Sequence, residues 1–457
     1  MLFYLGAISV FAVIIVIGVM TGRKMKKATS FDSVREATPG LVAGALIGTL
    51  VGGSSTIGTA QLAYAYGFSA WWFTLGGAIG VIVLGLVFLV PLYNSGINTL
   101  PDVFSRVYGK KSGVTVAILS SLGTFLSFVA QIISGTALIM SITPLDFSQS
   151  LLVVSALMIV YVFFGGSLAL GRAGLAKTIL LAASVLICGI LAIRLGGGLR
   201  GYFNNAELPR AQYFNLFARG LAIDLGSGIS LVIGVITTQS YIAAVLSAKN
   251  ISSAKGGILL TAILVPIIGL AGIFVGMYMK IQHPGIDAKL ALPMFILNEL
   301  PPMLAGVMIA SLLVAVIGTG AGLSMGIASM IYRNIYKIVY PETNDAKRVT
   351  QMILLSVITI GTLLCYINLD DLILGWSFMS MGLRGSVAAV PMIVAVFLPG
   401  KVAPRYAITA MFAGVIFTIM GKFVIPLDVD PMFYGIGASL VIMVLGIIVN
   451  RRKKGVQ

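Results

Sequence analysis

The sequence predicts an all-α integral membrane protein of about thirteen transmembrane helices, with helices 2–6 and 7–11 as the halves of an inverted repeat and a broken helix opening each half. Three observations carry this expectation. Mean hydropathy is +1.06, and charged residues are only 10% of 457, against roughly 25% in a soluble domain. Apolar windows of about 20 residues, long enough to cross a hydrocarbon core, recur from end to end. Two of those windows are interrupted by glycines and hydroxyls, which a bilayer tolerates only inside protein or beside a cavity.

The windows fall near 2–21, 39–65, 68–96, 113–142, 148–166, 173–197, 220–247, 254–280, 303–332, 349–368, 371–398, 405–425 and 431–450. The polar gaps between them are too short for a soluble domain. Segment 2–21 has no basic start and no small-residue cleavage site before Arg23, so it reads as a mature helix. The chain then divides into 1–38 (an extra helix and a cytoplasmic loop), 39–198 (first repeat), 199–400 (second repeat) and 401–457 (two final helices and a basic tail).

The net charge of +16 is a topology signal. Arg23-Lys24, Lys26-Lys27, Arg106, Lys110-Lys111, Arg333, Lys337, Lys347-Arg348 and Arg451-Arg452-Lys453-Lys454 all fall on one side if the N-terminus faces outward. Arg194, Arg200, Arg210, Arg219, Lys280 and Lys289 fall on the other. That asymmetry puts the C-terminus in the cytoplasm of a multi-pass cell-membrane protein, with the lipid bilayer rather than nucleic acid as its partner. Cys188 and Cys365 are isolated, and the single histidine, His283, sits in an external loop. Disulfide, metal and histidine chemistry are therefore not expected. Nothing in the pattern fixes an oligomeric state.

The first broken helix lies in 41–60, with Gly52-Gly53-Ser54-Ser55-Thr56 at its centre. A break at membrane depth points to a transporter's binding site. Gly44, Gly48 and Gly52, recurring every fourth residue, equally suit a close helix contact. Thr99 and Asp102 read as a capping box opening a short interfacial helix, with Pro101 early in it. Residues 198–218 form an external loop, and 284–302 form another with a second surface helix.

The second break falls at Gly234-Val-Ile-Thr237-Thr238-Gln239. An odd number of crossings separates the two breaks, so they enter the membrane from opposite sides, as an inverted repeat requires. In 303–336, Gly318, Gly322 and Gly326 form another small face beside Thr319 and Ser324. That face is expected to pack on the first glycine face, with oxygens between them for a small hard cation.

These stretches resemble the sodium:solute symporter family. Ser55 through Gly67 resembles its first core helix. Thr99-Leu-Pro-Asp102 with Arg106-Val-Tyr-Gly109 resembles its TLPEFLEKRFG segment. Gln239 with Leu246-Ser-Ala-Lys249 resembles the end of its sixth core helix, and Ala305 through Tyr336 its eighth. The resemblance covers roughly 1–400 and implies the five-plus-five inverted-repeat fold. It implies a cation-coupled secondary active transporter that imports a small organic solute by alternating access, with Na+ as coupling ion and no other cofactor or enzymatic step. It further implies a sodium site made by the carbonyls of Gly48, Val51 and Ala315 and an A-x-x-S-[ST] hydroxyl pair. That pair falls on Gly318 and Thr319, so one hydroxyl is missing. After Gly165-Gly166 the family usually has T-D-x-x-Q; here Gly174 replaces the acid and Lys177 the amide. Lys177 either snorkels to the cytoplasmic surface or places its ammonium where the cation would sit. The second option gives a proton-coupled or uncoupled carrier.

On the substrate side, Arg384 is the one basic residue near the middle of a long apolar span, a functional hypothesis by default. Its guanidinium suits a carboxylate or zwitterion, with a structural role on helix carbonyls as the alternative. Ser54, Ser55, Thr56, Thr238 and Gln239 are the polar groups expected around the solute, and the half-helix N-terminus at the first break favours an anion. Trp71, Trp72 and Trp376 read as interfacial anchors or gates. An enzyme would need a nucleophile, base or metal cluster at membrane depth, and none is visible. A transport-inactive sensor is the remaining rival, whereas a channel would need a filter or charged ring.

Overall fold

The computed structural model describes residues 1–10, 12–13, 35–97, 99–165, 172–340, 345–367, 372–424 and 429–454. Arg23-Lys24, Lys26-Lys27, Gly166 and most of the 22–38 loop lie outside them. The described residues form helices and turns with no named strand; an isolated parallel bridge joins Ala37 to Ala248.

The first broken span is α1 (Pro39–Leu50) and α2 (Gly53–Tyr66). It breaks at Val51 (φ −100, ψ 84) and Gly52 (φ −107, ψ −172). The chain turns at Gly67, whose φ of +58 favours glycine, into α3 (Trp72–Val83), which continues helically to Asn94. The expected capping box starts α4 (Leu100–Tyr108). Asp102 N–H donates to Thr99 Oγ1 at 3.3 Å, and Thr99 N–H to Asp102 Oδ2 at 3.1 Å.

Next come α5 (Lys110–Ile142), α6 (Phe147–Gly165) and α7 (Arg172–Leu195). The second broken span is α8 (Leu221–Thr237) with α9 (Gln239–Leu246), bent by 53° at an extended Thr238. There follow α10 (Ile251–Gln282), the surface helix α11 (Ala291–Glu299), α12 (Pro302–Ile331), α13 (Ala346–Ile367), α14 (Ile373–Phe397), α15 (Pro404–Phe423) and α16 (Met432–Lys454). Among the described residues nine helices are long and apolar enough to cross a membrane, or ten with the bent pair.

Both halves of the first broken span pack on α10, while α14 packs between α5 and α8. Glycines permit the close approaches: a Cβ on Gly123 of α5 would lie 2.6 Å from Arg384 Cγ and 2.9 Å from Ser380 O of α14. The two expected glycine faces approach only at the break, where a Cβ on Gly52 would lie 3.6 Å from Thr319 Cγ2. A Cβ on Gly322 or Gly326 would meet nothing within 4 Å, and one on Gly48 would meet Thr178 Oγ1 of α7 at 2.6 Å. A cavity separates the faces.

Candidate solute and cation site

The cavity has a volume of about 680 Å³, the size of a small-molecule site. It lies beside the first break and is walled by α1, α5, α7, α12 and α14, with α3 and α9 closing its sides. Of the residues expected from sequence, Gly48, Ser54, Lys177, Gly318, Thr319 and Arg384 line it. Thr238 stands behind it, accepting from Arg384 Nη1 at 3.1 Å.

Ser55, Thr56 and Gln239 are not brought to the cavity. Ser55 Oγ donates to Gly52 O at 2.8 Å, and Thr56 Oγ1 donates to Gly53 O at 3.1 Å. Short hydroxyl side chains in a helix's first turns readily bond back to the local backbone. Gln239 Oε1 accepts from Leu100 N–H and so supplies an acceptor to the N-terminus of α4. The half-buried Trp71 and Trp72 donate their indole N–H groups to Pro266 O at 3.0 Å and Leu216 O at 2.7 Å.

One N–H of the half-helix N-terminus is already engaged. Gln131 of α5 accepts from Ser54 N–H through Oε1 at 3.4 Å and donates from Nε2 to Ser54 Oγ at 2.8 Å. Sequence reasoning missed Gln131. The available signal was its position one helical turn after Ser127 in an apolar helix, which puts both on one face.

On the cation side, the last backbone bond of α1 runs from Val51 N–H to Ile47 O. The break ends the helix bonding that the carbonyls of residues 48–51 would otherwise accept. Ala315, in contrast, lies within unbroken α12. The Lys177 ammonium donates to Thr319 Oγ1 at 2.9 Å. A Cβ on Gly318 would sit 3.6 Å from Lys177 Nζ and 3.5 Å from Tyr161 OH, in ordinary contact with both, so Lys177 lies beside the position of the missing hydroxyl.

Arg384 is 5% exposed. Its Nη2 donates to Ser127 Oγ at 2.6 Å and Ser380 Oγ at 2.5 Å, and its Nε to Ser380 O at 3.3 Å. Together with Thr238, every acceptor is neutral. The ion pair found among the described residues lies elsewhere, between Arg219 and a fully buried Asp224 at 2.6 Å. Ser69 Oγ donates to the same carboxylate at 2.7 Å. Sequence reading placed Arg219 on the external side and missed this pair. From there the Arg219 guanidinium lies 5.4 Å over Phe378, which meets Phe73 of the cavity wall at 5.5 Å. Phe73 joins this stack to the cavity wall, and the lining residues Leu41, Ala45 and Gly322 are exposed. Among the described residues no His, Cys, Asp and Glu cluster could hold a metal.

Comparison with known proteins accords with this geometry. A solved Na+-coupled sialic acid symporter shares the fold, with a TM-score of 0.74 at 18% identity, covering 99% of this chain and 98% of that one. The uncharacterized symporter YwcA of Bacillus subtilis is 26% identical over 42% of this chain and 38% of its own length. Sodium/myo-inositol cotransporter 2 of Mus musculus is 25% identical over 66% of this chain and 51% of its own length. The chain thus spans about half or less of the length of these curated relatives. The family description "Sodium:solute symporter family" matches residues 31–414, and the chain belongs to that family.

Proposed function

We propose that this chain is a cation-coupled secondary active transporter that imports a small organic solute, a carboxylate or zwitterion, by alternating access. The observation that carries the reading is the cavity at the first helix break, with buried Arg384 and Ser54 in its wall. The relatives support it, being symporters and cotransporters rather than enzymes.

The proposed topology has thirteen crossings, with repeats at 39–198 and 199–400 flanked by 1–38 and 401–457. The helical run 53–94 is 42 residues, about 63 Å at 1.5 Å per residue, too long for one crossing, and its turn at Gly67 divides it into the second half of the first broken span and the crossing that follows. The breaks at 51–52 and 238 then open the two repeats. With the N-terminus outside and the C-terminus cytoplasmic, the end of the cavity near Leu41 and Gly322 faces the cytoplasm. The Arg219–Phe378–Phe73 stack is the closed outer side.

In the sodium-coupled form of this reading, Na+ is cargo, held by the carbonyls of Gly48, Val51 and Ala315 and by Thr319. The Lys177–Thr319 bond favours a second form. There the ammonium stands in the ion's place, and coupling runs on protons or is absent. Thermal stability of the detergent-purified protein, titrated with sodium chloride against choline chloride, separates the two. A ligand bound only by the folded state adds RT ln(1 + [L]/Kd), about 2.7 kcal/mol at a hundredfold excess. A saturable sodium-specific rise supports the sodium form. Superimposable curves, together with loss of coupled uptake in Lys177→Ala, support the lysine form. Failure to accumulate any solute in proteoliposomes would leave a transport-inactive sensor.

A further inference from the structure

We propose that the cavity selects an organic anion: a carboxylate with an apolar body and no ammonium group. This rests on reading the cavity as the solute site and narrows that reading from carboxylate or zwitterion to one charge class.

The argument is one of uncompensated charge. Arg384 makes four hydrogen bonds, one from Nε, one from Nη1 and two from Nη2. A guanidinium carries five N–H donors, so one remains on Nη1. All four acceptors are neutral oxygens, so they satisfy donors without offsetting the positive charge. The cavity wall carries a second cation, Lys177, and among the described residues its lining includes no aspartate or glutamate. Charge held in a low-dielectric setting without a counter-charge is costly, and the group that removes the cost here is an incoming anion.

Other ligand classes fit this wall less well. A quaternary ammonium adds a third positive charge. A zwitterion gains from Arg384 but carries its own ammonium into the same field. A polyol leaves both charges as they were. Leu50, Phe73 and Met381 supply apolar wall, which suits a hydrocarbon body better than a ring of hydroxyls. Because Gln131 already accepts from Ser54 N–H, the helix N-terminus is the lesser anion contact and Arg384 the greater.

The test is thermal stability of the full-length purified protein, titrated with propionate, butyrate and phenylacetate against matched alanine, 2-aminobutyrate and phenylglycine, with choline and myo-inositol alongside. The expected result is a saturable rise with at least one carboxylate and an affinity at least about tenfold weaker for its amino counterpart, a gap of about 1.4 kcal/mol. Arg384→Gln should lose the carboxylate response, and Arg384→Lys should keep part of it. The inference is overturned if the amino acids match the carboxylates, if only choline or myo-inositol stabilises, if no carboxylate responds, or if Arg384→Gln binds as wild type does. Proteoliposome uptake separates the layers. A carboxylate that binds without being accumulated removes the transport reading and leaves the selectivity. Accumulation of myo-inositol without a carboxylate response does the reverse.

Discussion

Arg219 and Arg384 are the same side chain placed in opposite circumstances. Arg219, at the start of α8, has Asp224 at 2.6 Å, Ser69 beside it and an aromatic ring beneath it. Arg384, within α14, has four bonds to hydroxyl and carbonyl oxygens and no carboxylate among the described residues. A protein that balances a partly buried arginine and leaves a fully buried one unbalanced has two uses for them. The first closes a seam between the 67–71 turn, α8 and α14. The second keeps its charge available to something that arrives.

The largest expected effect comes from unbalancing the first. Asp224→Ala leaves a partly buried guanidinium without its partner and should cost about 3 kcal/mol, read as a fall in unfolding midpoint and slope-corrected stability. A loss as small as that of a surface substitution would mean that Arg219 swings out to solvent and that the seam is held by the rings alone.

Removing the second arginine should cost far less. Ser380 Oγ donates to Gly123 O at 2.5 Å, and Thr238 Oγ1 to Gly234 O at 2.6 Å. Ser127 Oγ keeps Ser380 Oγ at 2.6 Å, so Arg384→Met strands none of the three hydroxyls and removes an unbalanced charge. Its stability should stay within about 1 kcal/mol of wild type, since replacing buried charge by an apolar side chain is often neutral. Equal losses in the two variants would erase the contrast and make Arg384 structural.

The smallest effect sharpens the comparison through pH. Burial raises the Asp430 carboxyl above its ordinary value, against the lowering influence of the Met432 N–H, Ser230 and the charges of Arg219 and Lys422. The folded state thus holds this proton more tightly than the unfolded one. Stability contributed by the neutral form is present below the ordinary carboxylate value, about 3.9, and is lost as pH rises through the folded value. Asp430→Asn should flatten that part of the pH–stability curve. An unchanged curve would show that Arg219 and Lys422 already stabilise the ionised form.

The same contrast marks how far sequence reading reached. Hydropathy and glycine–hydroxyl interruptions located both broken helices to within a few residues, because a break at membrane depth needs a visible polar signature. Arg384 was legible for the same reason. Lys177 was legible only as a departure from a family pattern, and its bond to Thr319 came from three-dimensional packing. Asp224 and Gln131 were not legible. Their roles depend on which helices meet, and a one-dimensional pattern does not carry contacts over 77 residues, as for Gln131 and Ser54, or 155, as for Ser69 and Asp224. Ser55, Thr56 and Gln239 were overread, because a polar side chain beside a break can serve the backbone as well as a solute.

Gln239 has a consequence of its own. The side chain next to the second break supplies the acceptor for the first amide of α4, a helix 139 residues earlier in the chain. Any tilt of α9 against α8 must drag that short helix along or leave the Leu100 amide bare. Amide hydrogen exchange at Leu100 is thus a built-in reporter of the break. Its protection should rise and fall with whatever ligand sets the angle at Thr238, with no probe attached to the protein.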